Sequence, residues 1–213
     1  MRINSFQLKC IAIVTMVIDH IGAVIFPEYM VLRYIGRISF PLFCFLLVEG
    51  FYHTHHIGKY MIRLGVFALI SEIPYDLAFR GTYLEFSRQN VFFTLCIGLI
   101  MMNAVKRTNN MSVKAIYVVL AMWAAQMLSS DYGYKGILLI AVFYFFREYL
   151  AVKITLSAVW NLLWNPLIQG YGALAGIPIL FYNGEKGRSM KYIFYVFYPV
   201  HLLILYYISF ILG

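Results

Sequence analysis

Nine apolar stretches follow one another along this chain, each separated from the next by a short polar or aromatic segment. A stretch of about 20 apolar residues can cross a bilayer as a helix, and shorter stretches can cross when they pack within a bundle. The sequence therefore predicts an all-α polytopic transmembrane bundle of about nine spans, with eight to ten possible, in which residues 1–213 form a single domain. The predicted spans are Leu8–Phe26, Ile38–Tyr52, Tyr60–Phe79, Val91–Val105, Val113–Leu128, Tyr134–Phe146, Ile154–Ile168, Tyr171–Tyr182 and Tyr192–Leu212.

The low content of charged residues excludes an ordinary soluble enzyme. Only 12% of the 213 residues are charged and 62% are hydrophobic, whereas soluble domains carry about 25% charged residues. The net charge of +8 does not indicate a nucleic-acid binder, because the basic residues are not concentrated on one stripe or helix. The lipid bilayer is the partner that this composition predicts.

The distribution of Lys and Arg predicts the orientation in the cell membrane, because cytoplasmic loops of membrane proteins are enriched in these residues. Twelve of the 17 basic residues fall on the side of the predicted bundle that holds the N-terminus. We therefore expect a multi-pass protein with a cytoplasmic N-terminus and, with nine spans, an external C-terminus. The twelve are Arg2, Lys9, Lys59, Arg63, Lys106, Arg107, Lys114, Arg147, Lys153, Lys186, Arg188 and Lys191, and the other five are Arg33, Arg37, Arg80, Arg88 and Lys135.

No metal site is expected from the sequence. The three cysteines lie in apolar stretches without a CxxC spacing, which argues against both a disulfide framework and a zinc site. Glu49 and the histidines that follow it resemble a metal cluster, but they lie in an interfacial turn and a solvated loop is the simpler interpretation. These cysteines and histidines are Cys10, Cys44, Cys96, His53, His55 and His56.

Three polar side chains lie at a similar depth in the first and last predicted spans. Asp19 and His20 are near the middle of the first span, and His201 is about nine residues into the last. Charged groups inside a membrane are costly and usually mark functional sites. An imidazole beside a carboxylate titrates near neutral pH and can move a proton, so we expect His20 to be functional; the alternative is a histidine that only packs and forms hydrogen bonds.

A second polar group surrounds the outer half of the third span. Glu72 and Asp76 are four residues apart and share a helix face, Arg33 and Arg37 precede the second span on the same side, and Asn90 begins the fourth. One interpretation is that the two arginines neutralise Glu72 and Asp76 as structural ion pairs. The other is that this polar group binds a substrate.

Several multi-residue motifs resemble the TraX family of integral membrane acetyltransferases, and the resemblance covers almost the whole chain. The TraX family is known for acetylating the N-terminal amine of conjugative pilin, and it is similar to transmembrane acyltransferases that transfer acetyl from cytoplasmic acetyl-CoA to an acceptor across the membrane. The motifs are Asp19-His20-Ile21-Gly22, Leu32-Arg33-Tyr34-Ile35-Gly36-Arg37, Glu49-Gly50-Phe51, Tyr60-Met61-Ile62-Arg63-Leu64, Ser71-Glu72-Ile73-Pro74-Tyr75-Asp76, Asn90-Val91-Phe92-Phe93-Thr94 and Phe197-Tyr198-Pro199-Val200-His201.

The resemblance implies an acetyl-CoA-dependent enzyme in which His20 is the general base. Asp19 would hold the His20 tautomer, as a buried carboxylate does in hydrolytic triads; because adjacent helical residues point about 100° apart, pairing of Asp19 with Arg33 or Arg37 is the competing assignment. His201 would relay a proton or donate to the thioester oxyanion.

The same resemblance assigns the two substrates to opposite sides of the membrane. Lys9, Lys59 and Arg63 would bind the phosphates of acetyl-CoA on the cytoplasmic side. The acceptor, an amine or hydroxyl of a peptide, glycan or small molecule, would approach from outside. The residues expected to bind it are Arg33, Arg37, Glu72, Asp76 and Asn90.

Two other functions remain open at this point. Intramembrane Asp, Glu and His residues also build the proton relays of transporters, so a proton-coupled transporter is the alternative, although no internal repeat of the kind found in many transporters is visible. A non-catalytic membrane scaffold is the third possibility, but it gives no reason for costly polar residues at one depth.

Overall fold

The structure, a computed structural model, describes residues 2–188 and 191–212. The side chain of Lys191, which was counted among the twelve basic residues of the N-terminal side, lies outside the described part. The described residues form ten α-helices and one 3-10 helix (Gln169–Ala175) and contain no β-strand, which confirms the predicted all-α class. The helices are α1 Ser5–Val24, α2 Met30–Gly36, α3 Ser39–His53, α4 Ile57–Arg80, α5 Val91–Lys106, α6 Met111–Met127, α7 Gly133–Phe145, α8 Leu150–Trp164, α9 Gly176–Leu180 and α10 Lys191–Leu212.

Three helical stretches are long and apolar enough to cross a membrane. They are α1, the stretch Met30–His53 that contains α2 and α3, and Tyr192–Leu212 of α10. Helices α5 to α8 are apolar but shorter, with 13 to 17 residues each. Apolar helices of these lengths indicate a membrane protein whose shorter spans pack within a bundle.

The described chain passes between two ends of the bundle nine times, and each pass corresponds to one predicted span. At one end, here called the Glu49 end, Ile3 pairs with Tyr182 and Arg147 binds Glu49. At the opposite end, here called the Asp19 end, the start of α3 stacks on Tyr132 through Phe40, and the start of α5 bonds to the loop after α6. The Glu49 end is the one predicted to face the cytoplasm.

The predicted span Tyr171–Tyr182 is not one helix, although it does connect the two ends. Its Tyr171 ring stacks on Tyr34 at the Asp19 end, with 4.4 Å between centroids, and its Tyr182 hydroxyl lies 3.5 Å from Glu49. The pass is made by the 3-10 helix and the five-residue α9. A 3-10 helix rises about 2.0 Å per residue, so this short segment covers more distance than an α-helix of equal length.

Glycines let this irregular pass lie directly against α8. A Cβ at Gly172 would come within 2.5 Å of Asn161, and a Cβ at Gly176 would come within 2.7 Å of Ile154. Small residues four positions apart are typical of closely packed membrane helices. Asn161 then accepts a hydrogen bond from Gln169 at 2.8 Å, so the polar groups of this contact are paired.

Helix α3 packs against several other helices and contains three of the four buried phenylalanines that are the largest fully buried side chains of the described residues. Phe40 and Phe45 are almost completely buried and pack against residues of α7 and its flanking loop. The three cysteines are free, and within the described residues no group of three or more His, Cys, Asp or Glu is arranged to hold a metal ion.

Candidate active site

The first feature of the candidate site is a direct contact between the half-buried His20 of α1 and the buried His201 of α10. Nδ1 of His20 lies 2.7 Å from Nε2 of His201. Nδ1 of His201 lies 2.9 Å from the backbone carbonyl of Phe197, one turn earlier on α10. The sequence predicted that His20 and His201 share a depth, and the structure brings them into hydrogen-bond contact.

The carbonyl of Phe197 determines the tautomers of this pair. A carbonyl only accepts hydrogen bonds, so Nδ1 of His201 carries the proton, and Nε2 of a neutral His201 holds a lone pair. Nδ1–H of His20 therefore donates to His201. Nε2 of a neutral His20 is left with a free lone pair, which is the protonation state that a general base requires.

Aromatic rings enclose the histidine pair. Phe79 of α4 contacts the edge of the His20 ring, with 5.3 Å between centroids, and Tyr198 lies 6.1 Å from His20 and 5.5 Å from His201. Tyr198 also packs against Phe92 of α5 at 5.0 Å. Four helices, α1, α4, α5 and α10, thus position the site.

Asp19 pairs with the two arginines and not with the His20 ring. Its carboxylate forms an ion pair with Arg37 and a second one with Arg33 at 3.2 Å, and Arg33 also donates to the Asp19 carbonyl at 3.0 Å. Gly36 makes this approach possible, because any Cβ there would overlap the Asp19 side chain. Of the two assignments left open by the sequence, the arginine pairing is the one observed, and His201 takes the position beside His20 that Asp19 was expected to occupy.

The predicted pairing of Arg33 and Arg37 with Glu72 and Asp76 is wrong. Glu72 accepts hydrogen bonds from both the backbone and the side-chain amide of Asn90, and that amide also donates to the carbonyl of Ala68 at 2.7 Å. Both arginines instead form ion pairs with Asp19 on the adjacent α1.

Asp76 likewise has partners of its own at the Asp19 end. It lies 3.4 Å from Arg80, one turn later on α4, and accepts the backbone N–H of Glu85 at 2.8 Å. These contacts hold the loop between α4 and α5 against α4. Acceptor binding by Glu72, Asp76 and Asn90 stays a prediction, and in the structure all three hold neighbouring parts of the protein.

A cavity of about 300 Å³ extends from the Glu49 end as far as Tyr198. Lys9, Arg63 and Lys186 line it at the Glu49 end, and its middle is lined by apolar side chains such as Ile13 and Leu47. Its deep end is bordered by Met16, Phe92 and Tyr198. The deep end therefore reaches the tyrosine whose ring contacts both histidines.

The structure brings two of the three predicted phosphate-binding residues together and adds one that was not predicted. Lys9 and Arg63 line the cavity, whereas Lys59 is exposed on the first turn of α4 and does not. Lys186 takes the third position. In the sequence, Lys186 belongs to the basic segment before α10, and that segment predicts the orientation but not a place in the cavity.

Glu49 organises the rim of the cavity. Its buried carboxylate binds Arg147 at 2.9 Å and lies 3.5 Å from the Tyr182 hydroxyl, while His53 contacts its backbone carbonyl at 2.8 Å. Lys153 donates to the carbonyl of Arg147 at 2.8 Å. These contacts join α3, α8 and the segment after α9, so the rim is fixed by ion pairs between separate passes.

An open groove of about 320 Å³ lies at the Asp19 end between α4 and α10. Phe79 borders this groove and also contacts the His20 ring. The other bordering side chains include Arg80, Tyr206 and Phe210. Phe79 is therefore the side chain between the groove and the imidazole, as Tyr198 is the side chain between the cavity and the histidine pair.

Comparison with known proteins agrees with the motifs. The family model described as TraX protein matches residues 5–209. A probable fimbrial assembly protein FimC, serogroup H1, of Dichelobacter nodosus is 33% identical over 231 aligned positions, which span 95% of this chain and 94% of that protein. Protein TraX of Escherichia coli is 28% identical over 93% of this chain and 84% of its own length. No solved structure matches.

The family match covers both histidines, the arginine cluster and the whole lining of the cavity, from Ser5 to Tyr198. Its extent, together with a relative that aligns over nearly its full length, leads to a single conclusion: the chain belongs to the TraX family.

Proposed function

We propose that this protein transfers an acetyl group from acetyl-CoA, bound in the cavity at the Glu49 end, to an amine or hydroxyl that reaches His20 from the Asp19 end. The observation that carries the proposal is the position of the histidine pair. The cavity leads from a basic rim to Tyr198, and Tyr198 contacts both His20 and His201. Transfer from a long thioester requires a deep cavity that leads toward a general base, and Tyr198 forms that link between the cavity and His20.

The lining of the cavity suits the acyl donor in both of its parts. Lys9, Arg63 and Lys186 provide three positive charges at the rim for the phosphates of CoA. The apolar middle, which includes Ile13 and Leu47, suits a thioester arm that carries no net charge. The nucleotide would remain at the rim, on the side that the distribution of basic residues predicts to be cytoplasmic.

The chemistry assigned to His20 follows from its tautomer. Nε2 of His20 takes the proton of the attacking amine or hydroxyl as the new bond to the thioester carbonyl carbon forms. His201 accepts the hydrogen bond from Nδ1–H and stabilises the imidazolium through its own bond to the Phe197 carbonyl. When the carbon–sulfur bond breaks, the imidazolium returns the proton to the CoA thiolate.

The acceptor class is supported by the relatives' names. A relative of this chain is named for fimbrial assembly and another is named TraX. We propose a subunit of a surface appendage as the acceptor, with its amine or hydroxyl presented through the groove beside Phe79. We also propose that the N-terminus is cytoplasmic, and this assignment rests only on the distribution of basic residues.

The experiment uses the purified protein in detergent with acetyl-CoA and hydroxylamine, a small nucleophile that replaces the unidentified acceptor. Free CoA and acetohydroxamate are separated by chromatography, because the free cysteines of the protein would react with thiol reagents. We expect His20→Ala to lower the protein-dependent rate by roughly 100- to 10,000-fold, the usual contribution of a general base. The matched control is His55→Ala, in the exposed turn before α4.

Equal rates with and without the wild-type protein would contradict the proposal. An unchanged rate in folded His20→Ala would remove His20 as the base. Proton uptake by proteoliposomes without CoA release would instead support a transporter, because intramembrane His and Asp residues also serve as proton relays.

A further inference from the structure

Acyl transfer needs a hydrogen-bond donor for the oxygen of the thioester carbonyl, because negative charge develops there as the nucleophile attacks. In the neutral histidine pair His201 has no free N–H for this purpose. Its Nδ1–H is bonded to Phe197, and its Nε2 accepts from His20. The donor must come from another side chain at the deep end of the cavity.

Tyr198 is the polar side chain at that position. It borders the deep end of the cavity, only 4% of its surface is exposed, and its ring contacts His20, His201 and Phe92. Because the ring is held between His20 of α1 and Phe92 of α5, its hydroxyl has little freedom to move away from the site. A donor that is already in place costs no reorganisation during the reaction.

The start of α5 favours this role. Val91, the first residue of α5, lines the cavity together with Tyr198. The first backbone N–H groups of a helix have no partner within the helix, and a phenol oxygen can accept from such a group while its own O–H donates elsewhere. The Asn90 side chain already bonds the next backbone N–H, that of Phe92, at 3.0 Å.

The other three tyrosines of the cavity have different partners. The Tyr182 hydroxyl lies 3.5 Å from Glu49 at the rim. The Tyr195 ring stacks on Phe67 at 5.1 Å, and the Tyr60 ring lies under the Arg63 guanidinium at 5.7 Å. None of the three is in ring contact with His20 or His201 within the described residues.

We infer that Tyr198 is a further catalytic residue, whose O–H donates to the thioester carbonyl oxygen in the acetyl transfer proposed above. As the acceptor nitrogen or oxygen bonds to the carbonyl carbon, the electron pair of the C=O bond moves to this oxygen, and the Tyr198 O–H stabilises it. When the C=O bond reforms, the carbon–sulfur bond breaks and CoA leaves with the proton held by His20. Tyr198 keeps its own proton throughout.

The test compares Tyr198→Phe with Tyr75→Phe in the hydroxylamine assay. Tyr198→Phe keeps the ring against both histidines and removes only the hydroxyl. Tyr75 is buried to a similar extent, with 6% exposed, but it packs on Phe79 and does not border the cavity. We expect Tyr198→Phe to lower kcat roughly 100- to 1,000-fold, as the loss of one oxyanion donor does, and Tyr75→Phe to keep the wild-type rate.

Binding of CoA separates a catalytic role from a structural one. CoA raises the melting temperature of a protein that binds it, and we expect the same rise in Tyr198→Phe as in the wild type. A wild-type rate in Tyr198→Phe, or joint loss of the rate and of the CoA-dependent rise, would overturn the inference. Absence of activity in the wild-type protein itself would instead contradict the proposed function.

Discussion

Nδ1 of His20 and Nε2 of His201 lie 2.7 Å apart although 181 positions separate the two residues in the chain. The contact joins the first and last long helices of the bundle at the level where the cavity from the Glu49 end stops. His201 also donates from Nδ1 to the carbonyl of Phe197. The chain of hydrogen bonds from His20 through His201 to this carbonyl therefore leaves Nε2 of His20 with its lone pair. Asp19, the neighbour of His20 in sequence, instead holds two arginines.

Replacing His201 tests this order of hydrogen bonds. His201→Phe preserves an aromatic ring but removes the acceptor for His20 Nδ1–H, so we expect kcat to fall roughly 100- to 10,000-fold with little change in KM. A Gln side chain offers an N–H for the Phe197 carbonyl and an oxygen for His20. His201→Gln should therefore retain more activity than His201→Phe in the hydroxylamine assay, and equal losses would contradict the relay.

Asp19→Asn should lower the stability of the protein far more than it lowers the rate of acetyl transfer. The substitution removes the carboxylate that forms ion pairs with both Arg33 and Arg37 in a largely buried position, and breaking such a pair costs about 3–5 kcal/mol of unfolding free energy. Thermal unfolding can be followed with a thiol-reactive dye as the rise in labelling above the level set by the partly exposed Cys10 and Cys96, because the Cys44 thiol is fully buried in the folded protein. We expect a lower Tm but a rate per folded molecule close to that of the wild type.

Glu28→Gln serves as the control for Asp19→Asn, because Glu28 is an exposed carboxylate between α1 and α2. The opposite pattern, in which Asp19→Asn keeps the wild-type Tm and loses CoA release, would show that Asp19 acts in the chemistry itself.

Neutralising the cavity rim should weaken donor binding. We expect Lys9→Ala, Arg63→Ala and Lys186→Ala each to raise the KM for acetyl-CoA about tenfold or more, since a hydrogen bond to a charged group contributes about 1.5–3 kcal/mol. The effect should shrink as salt is added. Arg107→Ala, an exposed arginine at the same end, is the matched control, and an effect of Lys59→Ala larger than that of Lys186→Ala would contradict the assignment.

Removing the Phe79 ring should admit water to His20 from the groove between α4 and α10. We expect Phe79→Ala to increase hydrolysis of acetyl-CoA several-fold relative to transfer to hydroxylamine. Phe210→Ala alters the same groove without a contact to His20, so its ratio of hydrolysis to transfer should equal that of the wild type. An unchanged ratio in Phe79→Ala would show that water reaches His20 by another route.

The glycine contact between the 3-10 helix and α8 should be sensitive to one methyl group. A Cβ at Gly172 would lie 2.5 Å from Oδ1 of Asn161, so we expect Gly172→Ala to lower the free energy of unfolding by about 1–3 kcal/mol. Gly58 has open space around its Cβ position, and Gly58→Ala in the first turn of α4 should leave the Tm unchanged or raise it. A Tm for Gly172→Ala equal to that of the wild type would contradict the close packing.

The all-helical class and the level of the polar residues along their helices were accessible from sequence alone. Hydropathy depends on each residue's own side chain, and counting along a helix of known rise places Asp19, His20 and His201 at a common depth. The irregular pass at Tyr171–Tyr182 was also located, although its 3-10 geometry depends on packing against α8.

The partners of these residues were decided only by the tertiary structure. Residues that are adjacent on a helix point about 100° apart, and the rotation of each helix about its axis is set by packing and is not encoded in local hydropathy. That rotation directs Asp19 to Arg33 and Arg37 and His20 to His201. The rotation of α10 also places Tyr198 between the histidine pair and the cavity. Tyr198 precedes His201 by three positions and therefore lies on the same helix face.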